Sequence, residues 1–190
     1  MKICVFCGSS VDLDTIFYES ATLMGKLIGT GDHHIIYGAG KIGVMGAVSE
    51  AVRKHGGQTT GIIPERLKIQ GVVSDQDNQL IVTKDMKERK SLMREKADAF
   101  LALPGGFGTL EELLEVITLK QLQYHQKPIV ILNINGYYDA LNRLFEQMYD
   151  QQFANPDYRQ LYSITNQPEE ALSAIENYNH KHVWDKYLKR

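Results

Sequence analysis

The chain has 190 residues, of which 43% are hydrophobic and 23% charged, and its formal net charge is −2 at pH 7. This length and composition are typical of one globular domain with a substantial core. Acidic and basic residues are interspersed, which argues against a nucleic acid polymer as partner, and no apolar run approaches the roughly 20 residues that span a bilayer.

Strand-like and helix-like segments alternate along the whole chain. The predicted strands are residues 2–6, 34–37, 59–63, 80–83, 99–103, 129–133 and 163–165, and the predicted helices are residues 15–28, 44–54, 86–96, 110–123, 138–151 and 169–178. Most of these strands are short, apolar and β-branched, as strands buried on both faces are. We therefore predict an α/β fold, a doubly wound parallel sheet with helices on both faces. Residues 1–179 form the predicted domain, and residues 180–190 form a C-terminal extension.

Two cysteines lie at the amino-terminal end of the chain. The first strand runs directly into Gly8, so residues 1–6 are interpreted as a strand and not as a signal peptide. Cys4 and Cys7 have C-x-x-C spacing, but residues three apart in one strand point to opposite faces. We interpret both as structural cysteines of a reduced, cytoplasmic protein.

Glycine-rich turns follow three of the predicted strands. They contain Gly8-Ser9 after the first strand, Gly40 and Gly43 after the second, and residues 104–109 after the fifth. Ligands of an open parallel sheet bind at the carboxyl ends of its strands. Each turn precedes a helix whose free N–H groups favour an anion, so the three together predict a site for a phosphate-bearing ligand.

Two common nucleotide-binding signatures are not supported. The spacing Gly38-x-Gly40-x-x-Gly43 matches the dinucleotide fingerprint, but it follows the second strand, and no acidic residue ends the next strand to bind a ribose. No Gly-Lys-Ser/Thr is present, which excludes a P-loop. The sequence therefore favours neither a dehydrogenase nor a nucleoside triphosphatase.

The start of the fourth helix allows two interpretations of Glu112. Thr109 and Glu112 have the spacing of a capping box, in which Thr109 is the N-cap and Glu112 is structural. Alternatively, Glu112 is a carboxylate of the first helical turn that faces the same crevice as the glycines. Glu111 would then supply a second oxygen to a ribose hydroxyl.

The third helix begins with basic residues. Arg89 and Lys90 lie near its amino-terminal end, where a cation gains nothing from the helix dipole. They are either solvated or directed at an anion. Met86 and Met93 lie on one helical face; core packing is the default for them, and contact with a planar base is the less common alternative.

The sequence resembles a known family in several blocks. Residues 104–112 resemble the P-G-G-x-G-T-x-x-E motif of the LONELY GUY (LOG) cytokinin riboside 5′-monophosphate phosphoribohydrolases, which were long mislabelled lysine decarboxylases. Residues 86–90 resemble the family's M-x-x-R-K motif, and residues 6–10, 37–40 with 43–46, 61–64 and 135–138 match in the same order. The resemblance implies a Rossmann-like homodimer with the active site at its interface.

The resemblance also implies a role for individual residues. Arg89 and Glu112 would be the catalytic pair, and Gly105, Gly106, Gly108 and Thr109 would bind the 5′-phosphate. Arg89, Lys90 and Glu111 would complete a substrate-binding site that includes Gly8, Ser9, Gly40, Gly43 and Met86. The exposed side of the helix that bears Gln121, Leu122 and Tyr124 is a candidate dimer surface.

We therefore expect hydrolysis of the N-glycosidic bond of a nucleoside 5′-monophosphate, either a cytokinin riboside 5′-monophosphate or AMP, without metal or cofactor. A non-catalytic nucleotide-binding module of the same fold is the alternative. A protein–protein adaptor would leave the clustered glycines unexplained. Lysine decarboxylation would require pyridoxal phosphate on a Schiff-base lysine, for which the sequence gives no sign.

Overall fold

Seven parallel strands form one sheet with helices on both faces. A computed structural model describes residues 1–180, and the predicted extension lies almost wholly outside the described residues. The strands are β1 Lys2–Phe6, β2 His34–Tyr37, β3 Gln58–Pro64, β4 Gln79–Thr83, β5 Ala99–Ala102, β6 Ile129–Leu132 and β7 Ser163–Thr165. The helices are α1 Thr15–Thr30, α2 Gly43–Lys54, α3 Met86–Lys96, α4 Phe107–Gln121, α5 Asp139–Asp150 and α6 Pro168–Glu176. Three short 3₁₀ segments are Glu65–Leu67, Ile134–Gly136 and Pro156–Leu161.

The strand order places a topological switch point in the middle of the sheet. The order is β4-β3-β2-β1-β5-β6-β7, so the chain moves outward from β1 to β4 and then crosses to the other side of β1. The loops after β1 and β5 diverge at this point, which is where doubly wound sheets bind ligands. The predicted fold and all of its elements are confirmed, with small differences at their ends.

Alternating side chains of the central strand divide the core into two layers. Ile3 and Val5 pack with α1, α2 and α6 on one face, whereas Cys4 and Phe6 pack with α3, α4 and α5 on the other. Cys7 belongs to the first layer, so the two cysteines point to opposite faces as predicted. Both are buried and free, and burial raises the pKa of each thiol.

The helical spacing of Leu110, Leu113, Leu114, Ile117 and Leu122 predicts one apolar stripe on α4, and the buried side of the helix differs from it. Leu113 and Val116 are buried, but Leu114 is 42% exposed and Leu122 is 36% exposed. The error has a physical cause: residues 113 and 116 define the face that meets the sheet, and Leu114 lies about 100° away from Leu113 around the helix. An exposed apolar strip therefore remains on the outside of α4.

A buried carboxylate anchors the loop between β3 and β4. The side chain of Asp77 is fully buried and accepts hydrogen bonds from Tyr37 Oη at 2.8 Å and Thr59 Oγ1 at 2.7 Å. Arg53 Nη1 lies 3.1 Å from the same carboxylate. Further up the loop, Val73 forms a bridge with Gly40. These contacts hold the loop against β2 and its turn.

None of the helices in the described part of the chain is long and apolar enough to cross a membrane.

Candidate active site

The turn between β5 and α4 presents the amino-terminal end of a helix at the switch point. Helix α4 begins at Phe107, with Gly106 as N-cap, and no described side chain caps it. Its first amides are therefore available to an anion. The prediction that Thr109 is the N-cap, and with it the capping-box interpretation of Glu112, is wrong. Thr109 is the third residue of the helix, and Glu112 lies in the second turn rather than the first.

Close packing joins this turn to the end of β1. Gly8 N donates a hydrogen bond to Pro104 O at 3.0 Å. A Cβ atom on Gly105 would lie 2.7 Å from Gly8 N and would also collide with the buried Thr109 side chain. Glycine is thus required at position 105 by the fold itself. In contrast, a Cβ on Gly106 or Gly108 would meet no atom within 4 Å, so these two residues border open space.

Arg89 and Glu112 form a buried ion pair beside that open space. Arg89 Nη1 lies 2.7 Å from Glu112 Oε1, and each side chain is only 12% exposed. Arg89 Nε also donates to the carbonyl oxygen of Ile62, at the end of β3, at 3.0 Å. The fold thus brings together Arg89 of α3 and Glu112 of α4, the predicted pair. The guanidinium is fixed by two acceptors, the Glu112 carboxylate and the Ile62 carbonyl oxygen.

Gly38 makes room for this guanidinium, a role that the sequence argument missed. A Cβ atom at Gly38 would lie 2.7 Å from Arg89 Nη2. The Gly38-Ala39-Gly40 turn carries the signal, but its spacing matches a dinucleotide fingerprint and does not indicate contact with an arginine. The structure instead makes Gly38 a neighbour of the ion pair.

The environment of Glu112 acts on its ionisation in two directions. Burial raises the pKa of Glu112, and the Arg89 guanidinium opposes that rise. A carboxylate held in this way is shielded from water yet keeps a cationic partner, a combination common among catalytic carboxylates. The pair can stabilise a developing positive charge or accept a proton from water.

Helix α3 owes its position to a cap that the sequence argument did not identify. Asp85 is the N-cap and accepts from Glu88 N at 2.8 Å, while Glu88 Oε2 accepts from Lys84 N at 2.9 Å. This is a reciprocal capping arrangement. It fixes the first turn of α3, so that Arg89 points towards Glu112. Met86 is 42% exposed and lies beside this ion pair, with its sulfur 3.3 Å from Arg89 Nη1.

A second set of charges surrounds Lys90. Its ammonium is paired with Glu111 and lies 3.6 Å from Glu115 Oε1. The hydrogen bond that Lys90 donates to Glu111 raises the pKa of Lys90. Arg94 Nη1 lies 2.8 Å from Glu115, so Glu115 is paired as well. Lys90 and Glu111 are therefore adjacent as predicted, but they bind each other, and a ligand would have to replace that contact.

The remaining predicted residues lie in the turns after β1 and β2. Gly43 has φ +66°, and a Cβ there would lie 2.9 Å from Ser9 Cα. Gly40 N donates to the sulfur of Met45 at 3.3 Å. These contacts pack the start of α2 against the turn that contains Gly8 and Ser9. Their geometry is explained by this packing, and their part in ligand binding stays a prediction.

A cleft on the other side of the Gly8 turn adds residues that the sequence argument did not select. Its volume is about 160 Å³, and it is lined by Gly8, Ser10, Leu13, Phe17, Pro104, Gly105, Gly106 and Tyr137. Tyr137 Oη donates to Gly105 O at 2.7 Å, and its ring meets Phe17 edge to face at 5.9 Å. The positive φ angles of Asn135 and Gly136 turn the chain so that Tyr137 reaches the glycine turn.

No group of three or more His, Cys, Asp or Glu side chains within residues 1–180 converges as a metal site.

Comparison with known sequences identifies relatives over nearly the whole chain. A family model described as "possible lysine decarboxylase" matches residues 45–175. The chain is 40% identical over 177 residues to a cytokinin riboside 5′-monophosphate phosphoribohydrolase of Arabidopsis thaliana, covering 93% of this chain and 78% of the relative. It is 38% identical over 181 residues to a probable enzyme of the same name from Oryza sativa subsp. japonica, covering 95% and 72% respectively.

Solved structures share the fold. The molybdenum cofactor binding protein of the phototrophic bacterium Rippkaea orientalis superimposes with a TM-score of 0.69 at 25% identity, over 92% of this chain and 94% of that one. A Moco carrier protein of Chlamydomonas reinhardtii gives a TM-score of 0.70 at 22% identity over the same shares. At this identity the second similarity concerns the fold alone.

Proposed function

The chain belongs to the family of LOG cytokinin riboside 5′-monophosphate phosphoribohydrolases, and we propose that it hydrolyses the N-glycosidic bond of a nucleoside 5′-monophosphate. The substrate is a cytokinin riboside 5′-monophosphate, AMP, or both, and the products are the free base and ribose 5-phosphate. The observation that carries this proposal is the buried Arg89–Glu112 pair beside an uncapped helix amino terminus.

The 5′-phosphate binds at the start of α4. The amides of Phe107, Gly108 and Thr109 are the first of the helix, and their partial positive charge suits a phosphate. The open space beside Gly106 and Gly108 lets the phosphate approach the backbone closely. Phosphate bound here fixes the ribose over the switch point, and such positioning supplies a large share of catalysis.

Glu112 acts on the reacting carbon. As the bond between C1′ and the base nitrogen breaks, the ribose becomes oxocarbenium-like, and a nearby carboxylate stabilises this charge. Water then adds to C1′ and gives a proton to Glu112, which passes a proton through solvent to the nitrogen of the departing base, so that the carboxylate returns to its ionised form. Arg89 favours the ionised form of Glu112 and orients it in the free enzyme, and its guanidinium is also available to the phosphate or ribose.

Free-base release tests this proposal. Chromatography follows base and ribose 5-phosphate from AMP and from isopentenyladenosine monophosphate, with Glu112→Gln and Arg89→Ala as test variants. Glu115→Gln is the matched control, because Glu115 lies on the same helix and pairs with Arg94. We expect Glu112→Gln to lower turnover by about 10²–10⁴-fold, the usual range for a general base, with Glu115→Gln nearly unaffected.

Two other outcomes have distinct meanings. If both nucleotides bind by calorimetry but neither is cleaved by the wild type, the chain is a nucleotide-binding module and the catalytic assignment fails. If adenosine is cleaved as efficiently as AMP, the phosphate does not bind at α4. A strong preference for AMP supports the phosphate site, because binding energy from a remote group contributes to turnover.

A homodimer is part of the proposal. Leu114, Leu122 and Tyr124 leave an apolar strip on the outside of α4 and just beyond it, with Tyr124 77% exposed. Large exposed apolar surfaces commonly mark interfaces. Light scattering on wild type should give twice the mass of the 21.5 kDa chain, and Tyr124→Glu should give the monomer. Phe153→Glu, at a similarly exposed aromatic residue, should leave the mass unchanged.

We also place the protein in the cytoplasm. The free cysteines Cys4 and Cys7 are buried, and unpaired thiols suit a reducing compartment. Fractionation of cells that express the tagged chain tests this assignment; recovery in an oxidising compartment would contradict it.

A further inference from the structure

The turn between β5 and α4 has four consecutive backbone carbonyls that all accept hydrogen bonds from within the fold. They belong to residues 103–106, and each has a donor at 3.1 Å or less. In chain order the donors are Tyr138 Oη at 2.7 Å, Gly8 N at 3.0 Å, Tyr137 Oη at 2.7 Å and Leu110 N at 3.1 Å. These acceptors are therefore occupied before any ligand arrives.

The amides of the same turn are left unused. Within residues 1–180, the backbone N–H groups of residues 105–109 donate no hydrogen bond to the protein. Gly106 is exposed, and a Cβ atom on it would meet no atom within 4 Å. Successive free N–H groups form an anion-binding concavity, so a turn with occupied acceptors and free donors suits a phosphate.

The peptide between Gly105 and Gly106 needs an anchor to keep its amide in place. Glycine populates both signs of φ with similar ease, so a peptide flanked by two glycines is free to rotate. This peptide is trans, and in a planar trans peptide the C=O and N–H bonds point in opposite directions. Because Gly105 O is bound to Tyr137 Oη, the Gly106 N–H points away from Tyr137.

The hydroxyl of Tyr137 is held in place by aromatic neighbours. Its ring meets Phe17 edge to face at 5.9 Å and Tyr138 edge to face at 5.0 Å. Edge-to-face contacts are favourable arrangements of aromatic rings. They fix the hydroxyl against Gly105 O in the absence of any ligand, so the turn is preorganised.

We propose that Tyr137 is a positioning residue of the phosphate site. Its hydroxyl holds the Gly105–Gly106 peptide so that Gly106 N–H joins the first amides of α4 in binding the 5′-phosphate. Tyr137 acts through Gly106 and does not itself contact the nucleotide in this role. The inference rests on the hydrolase function proposed above and adds a residue to its phosphate site.

Tyr138 provides a matched control in the same turn. Its hydroxyl also donates to a backbone carbonyl at 2.7 Å, that of Leu103. The residue after Leu103 is Pro104, which has no N–H, so Tyr138 orients no amide towards a ligand. Tyr138 is 2% exposed and Leu103 is fully buried. Loss of this hydroxyl would leave a buried carbonyl unpaired, which costs stability.

Calorimetric titration of the full-length protein with ribose 5-phosphate tests the proposal. Tyr137→Phe keeps the ring but removes the hydroxyl, and it should weaken binding about tenfold, as expected for one hydrogen bond to a charged group. Its Tm should stay near that of the wild type, because Tyr137 is 46% exposed and water can bind Gly105 O instead. Tyr138→Phe should show the reverse pattern, with a lower Tm and nearly wild-type affinity.

Base release provides a second readout that a merely structural role would not produce. Tyr137→Phe should lower kcat/KM for AMP about tenfold, in line with the loss of affinity. The slow cleavage of adenosine should be unchanged, because adenosine carries no phosphate for Gly106 to bind.

The possible outcomes separate this inference from the hydrolase proposal. Unchanged affinity for ribose 5-phosphate in Tyr137→Phe would overturn the inference alone. Equal losses of affinity in Tyr137→Phe and Tyr138→Phe, or equal losses of activity on AMP and adenosine, would show a general loosening of the turn and would also overturn it. If the wild type binds neither ribose 5-phosphate nor AMP, the proposed function fails and this inference fails with it.

Discussion

Replacing Gly38 by alanine isolates the contribution of Arg89 geometry to activity. The added Cβ atom would lie 2.7 Å from Arg89 Nη2, whereas ordinary contacts begin at 3.4 Å. Restoring such a contact displaces the guanidinium by about 0.7 Å. Gly38 does not have a positive φ angle, so alanine strains no backbone at this position. This displacement would distort the hydrogen bonds that Arg89 donates to Ile62 O at 3.0 Å and to Glu112 at 2.7 Å.

The expected effect follows from the size of this displacement. A misplacement of about 1 Å in a catalytic constellation costs about 100-fold in rate. We therefore expect Gly38→Ala to lower kcat/KM for base release by about 10- to 100-fold. Its Tm should stay close to that of the wild type, because flexible Met45 is the other neighbour that must move. The assay is chromatographic base release, with thermal unfolding in parallel.

A double-mutant cycle shows whether the effect passes through Arg89. Arg89→Lys retains a cation but lacks the Nη2 atom that approaches Gly38. Adding Gly38→Ala to Arg89→Lys should therefore cost little further activity. Wild-type kcat/KM in Gly38→Ala, or the same fold-loss in both backgrounds, would refute the steric argument.

Three further results are expected. Burial raises the pKa of Glu112, and the reaction uses the ionised form of this side chain. Base release should therefore fall as the pH drops through that raised pKa, and Arg89→Met should move this acid limb to higher pH. A pH–rate profile that does not move would contradict the pairing. Asp77→Ala should destabilise the fold by about 3–5 kcal/mol, because it leaves the hydroxyl of Tyr37 and the largely buried guanidinium of Arg53 unpaired. Urea unfolding measures this loss of stability, and a loss below about 1 kcal/mol would contradict the expectation. The folded-state pKa of Lys120 is lowered to about 8, so between that pH and the ordinary pKa of lysine the unfolded chain binds more protons than the folded one. The wild type should therefore gain stability relative to Lys120→Met as the pH rises through this range. Tm differences that are constant with pH would count against this.

The fold could be predicted because the sequence pattern and the packing agree. Segments such as residues 129–132 are apolar throughout and buried on both faces, as the strands of a parallel sheet covered by helices are. Glycine-rich turns after the first and fifth strands then coincide with the switch point of the observed strand order. The family motifs identified Arg89 and Glu112, and the structure places the two in contact.

The local geometry of the site could not be predicted in the same way. Thr109 has the right spacing for an N-cap, but the preceding turn allows the helix to begin earlier, at Phe107. Nothing in the local sequence marks this earlier start, because Gly106 caps the helix without a side chain. Phe17 and Tyr137 lie 120 residues apart in sequence and meet only through the tertiary fold. Gly38 likewise lies next to Arg89 only because the carboxyl-terminal end of β2 and helix α3 converge in the tertiary fold.

Helix α4 links the two ends of the molecule through its electrostatics. Its amino-terminal amides, uncapped by a side chain, form the positive end of the helix dipole and suit a phosphate. Its last turn holds Lys120, and the negative end of the same dipole partly offsets the cost of burying that ammonium. Lys120 follows Glu112 by eight residues, or about 12 Å along the helix. The same helix thus favours an anion at its amino-terminal end, beside Glu112, and tolerates a buried cation at its carboxyl-terminal end. An acidic residue in place of Lys120 would be disfavoured by the same dipole.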